Sequence, residues 1–250
     1  MGNSMRNYDP APDLLQDRVI MVTGAGDGIG RAVARSFAAH GATIVLLGKS
    51  VKKLESLYDE IEAAGHPTPG IYPMNLLGAN LEDYLELAQR LEENYGRLDG
   101  LLHNAGILGP RSPIGQYDEE EWQKVMHVNL TSQFVMTKAC LPLLLKSDDA
   151  SLVFTSSGVG RKGRAYWGAY AVSKFATEGL MQVLADETEN QGNLRVNSIN
   201  PGATRTKMRA AAYPGEDASK LPTPEDIVGT YLFLFGPESR GITGKAYDAQ

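Results

Sequence analysis

The sequence predicts a single α/β domain, a doubly wound parallel sheet of about seven strands with helices on both faces. Short apolar segments rich in β-branched residues alternate along the chain with longer segments of helical periodicity. A glycine-rich loop follows the first apolar segment and precedes a helical one. This alternation is typical of parallel strands joined by right-handed helical crossovers.

The candidate strands are short, and the candidate helices lie between them. The strands are expected at residues 18–23, 42–47, 70–74, 98–103, 151–156, 194–199 and 245–249, and helices at 31–40, 51–64, 81–95 and 119–146. Asp118 with Glu121 resembles a capping box, and Pro142 should kink or end the long helix. Because no repeat or linker interrupts this pattern, we expect one domain over residues 16–250 and a flexible tail over residues 1–15.

Composition excludes several classes of protein. The 250 residues carry a net charge of -6, whereas a dedicated nucleic-acid or anionic-membrane binder needs concentrated positive charge. Cys140 is the single cysteine and sits in an apolar run, which favours a buried, inert thiol in a reducing compartment. No two histidines have a metal-ligand spacing, so we expect no metal site. The first fifteen residues lack an apolar run, which favours a cytoplasmic protein without a membrane segment.

The glycine-rich loop "TGAGDGIG" spans residues 23–30 and has the spacing G-x-x-x-G-x-G. Glycines at this place let the backbone approach a pyrophosphate, and the following helix offers free N–H groups and a positive dipole. A plain turn is the alternative, but the position at the first strand–helix junction favours a dinucleotide site of the Rossmann type.

The end of the second predicted strand indicates which dinucleotide binds. An acidic residue there would hold the adenosine ribose 2'-hydroxyl and repel a 2'-phosphate. This chain has Gly48, Lys49 and Ser50 instead, and Lys49 with Ser50 can bind a phosphate. We therefore expect NADP(H) rather than NAD(H).

Tyr170 and Lys174 are four residues apart in "YAVSK", so on a helix their side chains share one face. A nearby ammonium favours the phenolate and lowers the pKa of the tyrosine toward the range in which it moves protons. An ordinary amphipathic helix is the alternative for the pair taken alone.

Six segments in this order and spacing resemble the classical short-chain dehydrogenase/reductase family over about residues 15–250. They are "TGAGDGIG" at 23–30, "HNAG" at 103–106, "HVNL" at 127–130, "TSSGVG" at 155–160, "YAVSK" at 170–174 and "NPGATRT" at 200–206. Residues 141–179 and the terminal "YDAQ" resemble the YciK-type branch of bacterial oxidoreductases. The resemblance implies hydride transfer between NADP(H) and a ketone, aldehyde or alcohol. A catalytically silent dinucleotide-sensing protein is the alternative.

The resemblance also implies roles for individual residues. Tyr170 would be the general acid or base, Lys174 would lower its pKa, and Ser157 would donate to the substrate oxygen. Asn129 would maintain the proton relay, and Ser156 is the rival serine. The implied cofactor-binding residues are Gly24, Asp27, Gly28, Ile29, Gly30, Lys49, Ser50, Asn75, Leu76, Asn104, Ala105, Gly106, Tyr170, Lys174, Pro201, Gly202, Thr204 and Thr206.

Two residues, His103 and Asn75, depart from the family pattern. His103 replaces an asparagine, and we expect this histidine to be packed in the core. Asn75 replaces an aspartate.

Substrate contacts should come from 107–112, 158–167 and 206–224. In "GRKGR", Arg161, Lys162 and Arg164 would attract an anionic carbonyl compound, unless they form a solvated loop or a subunit contact. The resemblance implies a homodimer or homotetramer through the helices near 119–146 and 169–190.

Overall fold

The computed structural model describes residues 8–250, in which seven strands form one parallel sheet. The strands are Val19–Thr23 (β1), Thr43–Gly48 (β2), Gly70–Pro73 (β3), Gly100–His103 (β4), Ala150–Thr155 (β5), Leu194–Asn200 (β6) and Ala246–Asp248 (β7). Their order is β3-β2-β1-β4-β5-β6-β7, and every neighbouring pair is parallel. The predicted fold class is therefore confirmed.

Helices cover both faces of the sheet. They are Gly28–Ala39 (α1), Val51–Ala63 (α2), Leu81–Tyr95 (α3), Glu119–Met126 (α4), Ser132–Leu145 (α5), Gly168–Thr188 (α6), Lys207–Ala212 (α7) and Val228–Phe235 (α8). Apolar residues of α1, α2 and α8 pack on one face, and those of α3, α5 and α6 on the other. In β1, Ile20 and Val22 join the first core and Met21 the second, so the strand is apolar on both faces up to Thr23.

The long helix predicted at 119–146 is divided. α4 and α5 are separated by a π-helical segment, His127–Thr131, and α5 continues past Pro142 to Leu145. Pro142 lies on the exposed face, so the backbone carbonyl it leaves without a partner one turn earlier faces solvent. The interruption thus lies at His127–Thr131, eleven residues before the proline at its nearest end.

Within residues 8–250, the stretch Glu119–Leu145 is the one helix long and apolar enough to cross a membrane by length and composition. Half of its most apolar window is buried inside the protein. Cys140 of α5 is fully buried in the core, where burial raises the pKa of its thiol to about 12. This burial identifies the stretch as a core element of the sheet's second face.

A flexible tail was predicted at residues 1–15, of which residues 1–7 lie outside the described residues. Residues 8–15 pack against the domain. Tyr8 contacts Phe233 edge to face with 5.8 Å between ring centres, and Leu15 is fully buried. The Leu15 N–H donates to the His40 carbonyl at 2.9 Å. The tail boundary at residue 15 therefore lies too late in the chain, because this segment covers apolar surface of α8 and the end of α1.

Candidate active site

The candidate site lies at the carboxyl ends of β1 and β4, where the strand order reverses. β1 pairs with β2 on one side and with β4 on the other, so the loops that follow β1 and β4 leave the sheet at a switch point. The two loops touch: a Cβ atom on Gly24 would lie 3.1 Å from Ala105 Cα. Gly24 has φ +69°, a conformation that glycine adopts without strain.

The glycine loop is held by side chains of its neighbours. Thr23 Oγ1 accepts the N–H groups of Asn104 at 2.9 Å and Ala105 at 3.0 Å, and Asn104 Nδ2 donates to the Thr23 carbonyl at 3.1 Å. A Cβ atom on Gly30 would lie 2.3 Å from the Gly24 carbonyl oxygen and 2.5 Å from Asn104 Nδ2. Only glycine fits there, and this packing aims the start of α1 at the cleft. The sequence prediction gave Thr23 no role in the site, although a threonine at the end of an apolar strand indicated a polar group there.

Asp27 caps α1 and binds two lysines. Its side chain accepts the Gly28 N–H at 2.8 Å and the Lys207 ammonium at 2.9 Å, and it also pairs with Lys53. The hydrogen bond from Lys53, followed by that from Lys207, lowers the pKa of Asp27 to about 2. The carboxylate thus holds two ammonium groups beside the N-terminus of α1, where positive charge favours an anion.

The residues expected to select the cofactor lie at the start of α2. Lys49 is exposed and forms no ion pair with any residue in 8–250. Ser50 is the N-cap residue of α2, and its side chain makes no capping hydrogen bond. The first turn of α2 contains no acidic residue. This corner therefore offers an ammonium, a hydroxyl and a helix N-terminus to a phosphate.

Other predicted cofactor-binding residues lie in the loop after β3 and at the starts of α1 and α7. Asn75 and Leu76 follow β3, where His127 Nε2 hydrogen-bonds the Leu76 carbonyl at 3.0 Å. Thr206 caps α7 by accepting the Arg209 N–H at 3.1 Å, and its methyl carbon lies 3.6 Å from where a Cβ on Gly28 would be. The Ile29 side chain packs on the core beneath.

The loop after β6, which contains Pro201, Gly202 and Thr204, is fixed by the last residue. Thr204 Oγ1 donates to the Pro201 carbonyl at 3.0 Å, and Gln250 Nε2 donates to the same carbonyl at 2.6 Å and to Thr204 Oγ1 at 3.1 Å. Sequence reasoning did not find Gln250, since no local pattern links it to a loop nearly fifty residues earlier.

Tyr170 lies in the first turn of α6 and is 9% exposed. Burial raises the pKa of its hydroxyl, and a hydrogen bond with Ser157 opposes this shift only in part. The prediction that the neighbouring Lys174 brings this pKa below its usual value is therefore wrong for this structure. The hydroxyl of Ser156 is buried and has no hydrogen-bond partner among residues 8–250. Ser157, thirteen residues before the tyrosine, is therefore the serine that meets Tyr170.

Lys174 lies one turn after Tyr170 and is 3% exposed. Its Nζ atom is 5.7 Å from the centre of the Tyr170 ring and donates to the Thr155 carbonyl at 2.7 Å. Burial lowers the pKa of Lys174 to about 8, and Glu178 one turn further on opposes this shift. The ammonium is thus anchored by a backbone carbonyl beside the phenol.

Asn129 lies in the π-helical segment and is fully buried. Its Oδ1 accepts the Ile107 N–H at 2.8 Å, and its Nδ2 donates to the Ile107 carbonyl at 2.9 Å and to Ser173 Oγ at 3.1 Å. Gly106 leaves room between the asparagine and Lys174: a Cβ there would lie 3.2 Å from Asn129 Oδ1 and 3.8 Å from Lys174 Nζ. The wider π turn is typical of helices at functional sites.

His103 is a packed histidine, as the sequence suggested. Its Nε2 atom lies 2.8 Å from Thr137 Oγ1, and its ring stacks on Phe154 with 4.9 Å between centres. Burial lowers the pKa of His103 to about 3, so the ring is neutral at physiological pH.

The hypothesis that Arg161 attracts an anionic substrate is wrong. Arg161 Nε donates to Glu178 at 3.1 Å, Nη1 to Asp248 at 2.9 Å and Nη2 to the Tyr247 carbonyl at 2.8 Å. Glu178 is 7% exposed, and a carboxylate buried this deeply needs a cationic partner. The guanidinium therefore ties α6 to β7, and the carboxylates of Glu178 and Asp248 neutralise its charge.

The three segments expected to contact substrate meet beside Tyr170. Trp167 lies 5.7 Å from Tyr170 and 5.9 Å from Tyr213 between ring centres. Arg111 places its guanidinium carbon 4.9 Å from the Trp167 ring and 5.1 Å from the Tyr213 ring. Residues 207–223 are folded, with α7 and a 3₁₀ turn at Ala218–Lys220. Tyr213 of this segment packs beside the ring of Trp167.

The buried ammonium makes a testable contribution to stability. Lys174 loses its proton at about pH 8 in the folded protein, whereas its ordinary pKa is 10.5. Between these values the unfolded chain binds more protons, so folding becomes more favourable as pH rises. Relative to Lys174→Met, the wild-type free energy of unfolding should rise by up to about 3 kcal/mol across this window. Denaturant unfolding of both proteins from neutral to alkaline pH checks this, and a pH-independent difference would contradict it.

Comparison with known proteins shows one family. A family model for short chain dehydrogenases matches residues 18–217. The uncharacterised oxidoreductase YciK of Escherichia coli K12 is 55% identical over 244 residues, which cover 98% of this chain and 96% of YciK. A short chain dehydrogenase structure from Pseudomonas syringae has a TM-score of 0.96 and 58% identity, covering 97% of this chain and 98% of its own. One from Shigella flexneri, solved with NADP, has a TM-score of 0.94 and 55% identity, covering 96% and 100%.

Proposed function

The chain belongs to the short-chain dehydrogenase family, and on that premise we propose that it reduces a ketone or aldehyde with NADP(H), or oxidises the corresponding alcohol, with Tyr170 as general acid and base. As a member of the family it is an oxidoreductase that binds a nicotinamide dinucleotide and acts on small molecules. The observation that carries the proposal is the cluster of buried Tyr170 and Lys174 with the partly buried Ser157 beside the glycine loop.

The loops around the crevice fit a dinucleotide. Gly30 leaves a cradle that a Cβ would fill, and the start of α1 offers N–H groups and the ammonium groups held by Asp27. Lys49 and Ser50 would hold the 2'-phosphate, Asn75 and Leu76 would lie on the adenine side, and Asn104 to Gly106 and Pro201 to Thr206 would border the nicotinamide side. When bound, the reduced nicotinamide supplies the hydride.

The side chains around Tyr170 would move the proton. The Tyr170 hydroxyl would give its proton to the substrate oxygen as the carbonyl is reduced, and Ser157 would donate a hydrogen bond to that oxygen. Lys174 favours the phenolate that remains, since its ammonium is fixed nearby in a buried site. Asn129 would hold the Ile107 loop and Ser173 in place, so that the proton lost by Tyr170 is replaced by way of Lys174.

The experiment that tests the proposal follows NADPH absorbance with purified protein across a panel of ketones, aldehydes and quinones. Turnover of at least one carbonyl compound, with formation of its alcohol, would support it. NADPH binding without turnover of any member of a broad panel would instead favour a dinucleotide-sensing protein.

Lys49 is expected to decide between the two dinucleotides. Lys49→Glu should weaken NADPH binding about tenfold or more and leave NADH binding nearly unchanged, because only NADPH carries the 2'-phosphate. The NADP bound to the Shigella flexneri relative supports this preference. Fluorescence titration of both cofactors measures it, with the exposed Lys52→Glu as the control for charge alone. Tighter binding of NADH than of NADPH by the wild type would contradict the assignment.

A homodimer or homotetramer through α5 and α6 is part of the proposal. Large apolar side chains on these helices are exposed: Phe134 at 50%, Val172 at 42%, Phe175 at 45% and Val183 at 57%. Such a patch favours a protein partner, and a second copy of the chain matches the family pattern. Phe175→Glu should reduce the mass measured by light scattering to that of a smaller species. Leu85→Glu, on the exposed face of α3, should not.

A further inference from the structure

Three arginines surround Tyr213 at the substrate side of the site. The guanidinium carbon of Arg209 lies 3.8 Å from the Tyr213 ring centre, and that of Arg111 lies 5.1 Å from it. Arg164 Nη1 donates to the Tyr213 hydroxyl at 3.2 Å. Arg111 and Arg164 come from two separate loops and Arg209 from α7, so the tertiary fold brings the positive charge together here.

Only one of these arginines is neutralised. Arg209 donates from Nε and Nη2 to the carboxylate of Glu216, each at 2.6 Å. Arg111 donates to the Ala212 carbonyl, and neither Arg111 nor Arg164 forms an ion pair with a carboxylate in residues 8–250. A guanidinium has five N–H donors, so both retain most of their donors. In a chain of net charge -6, two exposed arginines without acidic partners at this place require an explanation.

Arg111 lies within reach of the proposed acid, and Arg164 reaches the same region through the Tyr213 hydroxyl. The Arg111 guanidinium carbon is 4.9 Å from the Trp167 ring, and Trp167 is 5.7 Å from the Tyr170 ring, so guanidinium and phenol are at most about 11 Å apart. The wall between them is apolar, formed by Trp167 with Leu108 and Met208. Stacking on the aromatic rings orients the guanidinium of Arg111, which favours bidentate recognition of an oxyanion.

We infer that the substrate is a small carbonyl compound with a terminal oxyanion, a carboxylate or a phosphate, that Arg111 and Arg164 bind. This inference rests on the proposed function. The carbonyl would reach Tyr170 and Ser157, the middle of the molecule would lie along Trp167, and the anion would meet the two arginines. Arg161, whose charge is neutralised by Glu178 and Asp248, has no part in this site, and Arg111 from a different loop takes the role that the sequence suggested for it.

The test measures binding without turnover. Wild-type protein loaded with NADP⁺, which cannot reduce an aldehyde, is titrated by calorimetry with para-formylbenzoate, para-formylphenyl phosphate and the neutral methyl para-formylbenzoate. The wild type should bind at least one anion about tenfold or more tightly than the ester. Arg111→Gln and Arg164→Gln should each lose most of this preference and bind the ester within about twofold of the wild type. Lys162→Gln, which removes one charge from the same loop as Arg164, should keep the preference.

The relative affinities of the two anions decide between carboxylate and phosphate. Equal affinity for ester and anions, no binding of either anion, or an unchanged preference in both arginine variants would overturn the inference. So would an equal loss of ester and anion binding, because that pattern means that the arginines only hold the α7 segment in place. Since the titration needs no turnover, a failure to reduce carbonyl compounds would contradict the proposed function separately.

Discussion

Tyr170→Phe is expected to reduce kcat for carbonyl reduction by about 10²–10⁴-fold, because it removes the hydroxyl that we propose as the general acid and base. The phenylalanine ring keeps the packing against Trp167, 5.7 Å between ring centres in the wild type, so the fold should not change. NADPH affinity should change little, since only one hydroxyl near the nicotinamide is lost.

Steady-state kinetics and an NADPH titration on the same preparation separate these effects. Tyr166→Phe is the matched control, since Tyr166 is four residues earlier and 57% exposed. It should have the activity of the wild type. If Tyr170→Phe retained kcat within about tenfold of the wild type, another group would have to supply the proton.

Gly30→Ala is expected to disrupt both folding and cofactor binding. The new methyl group would lie 2.3 Å from the Gly24 carbonyl oxygen and 2.5 Å from Asn104 Nδ2, so the loop must move. Overpacking of this kind costs about 1–3 kcal/mol, which corresponds to a fall in Tm of roughly 2–12 °C in a chain of this size. Because the displaced atoms shape the start of α1, the Kd for NADPH should rise by about tenfold or more.

Thermal unfolding and a fluorescence titration check the two parts of this prediction. Gly26→Ala in the same loop is the control, because the atom nearest to its new methyl group would be Lys53 Cβ at 3.1 Å, a contact that a small shift relieves. A Gly30→Ala protein with the Tm and Kd of the Gly26→Ala protein would show that the close approach is unimportant.

Local patterns predicted most of the fold. The seven strands were found because both faces of the sheet are covered, which makes each strand a short apolar run bounded by turns. The π-helical segment His127–Thr131 was not predicted, since its residues fit the helical periodicity of the flanking turns. The packed segment at residues 8–15 was missed because its contacts depend on the tertiary fold, as in the pair of Tyr8 with Phe233, more than two hundred residues away.

Some residues of the site could likewise be predicted from local sequence patterns, and others depend on tertiary packing. Tyr170, Lys174 and Ser173 lie within one turn of α6, so their proximity follows from helix geometry. The partners of Arg161 could not be predicted, because Asp248 is 87 residues away and the choice between solvent and an ion pair depends on tertiary packing. Arg111 lies in the segment 107–112 that was expected to contact substrate, but it was not singled out, since its contacts with Trp167 and Ala212 cross 56 and 101 residues.

The π-helical turn also has a consequence for how this chain tolerates insertions and deletions. A π turn contains one more residue than the α turn it replaces, so deleting one residue from His127–Thr131 would let the helix become regular. Because the regular turn would cover the same rotation with one residue fewer, Met136, Cys140 and Leu144 of α5 would stay in the core. Asn129, which contacts Ile107 and Ser173 from the widened turn, would instead be displaced. A deletion here would therefore spare the fold and damage the site, whereas a deletion within α5 would rotate its apolar residues by about 100°.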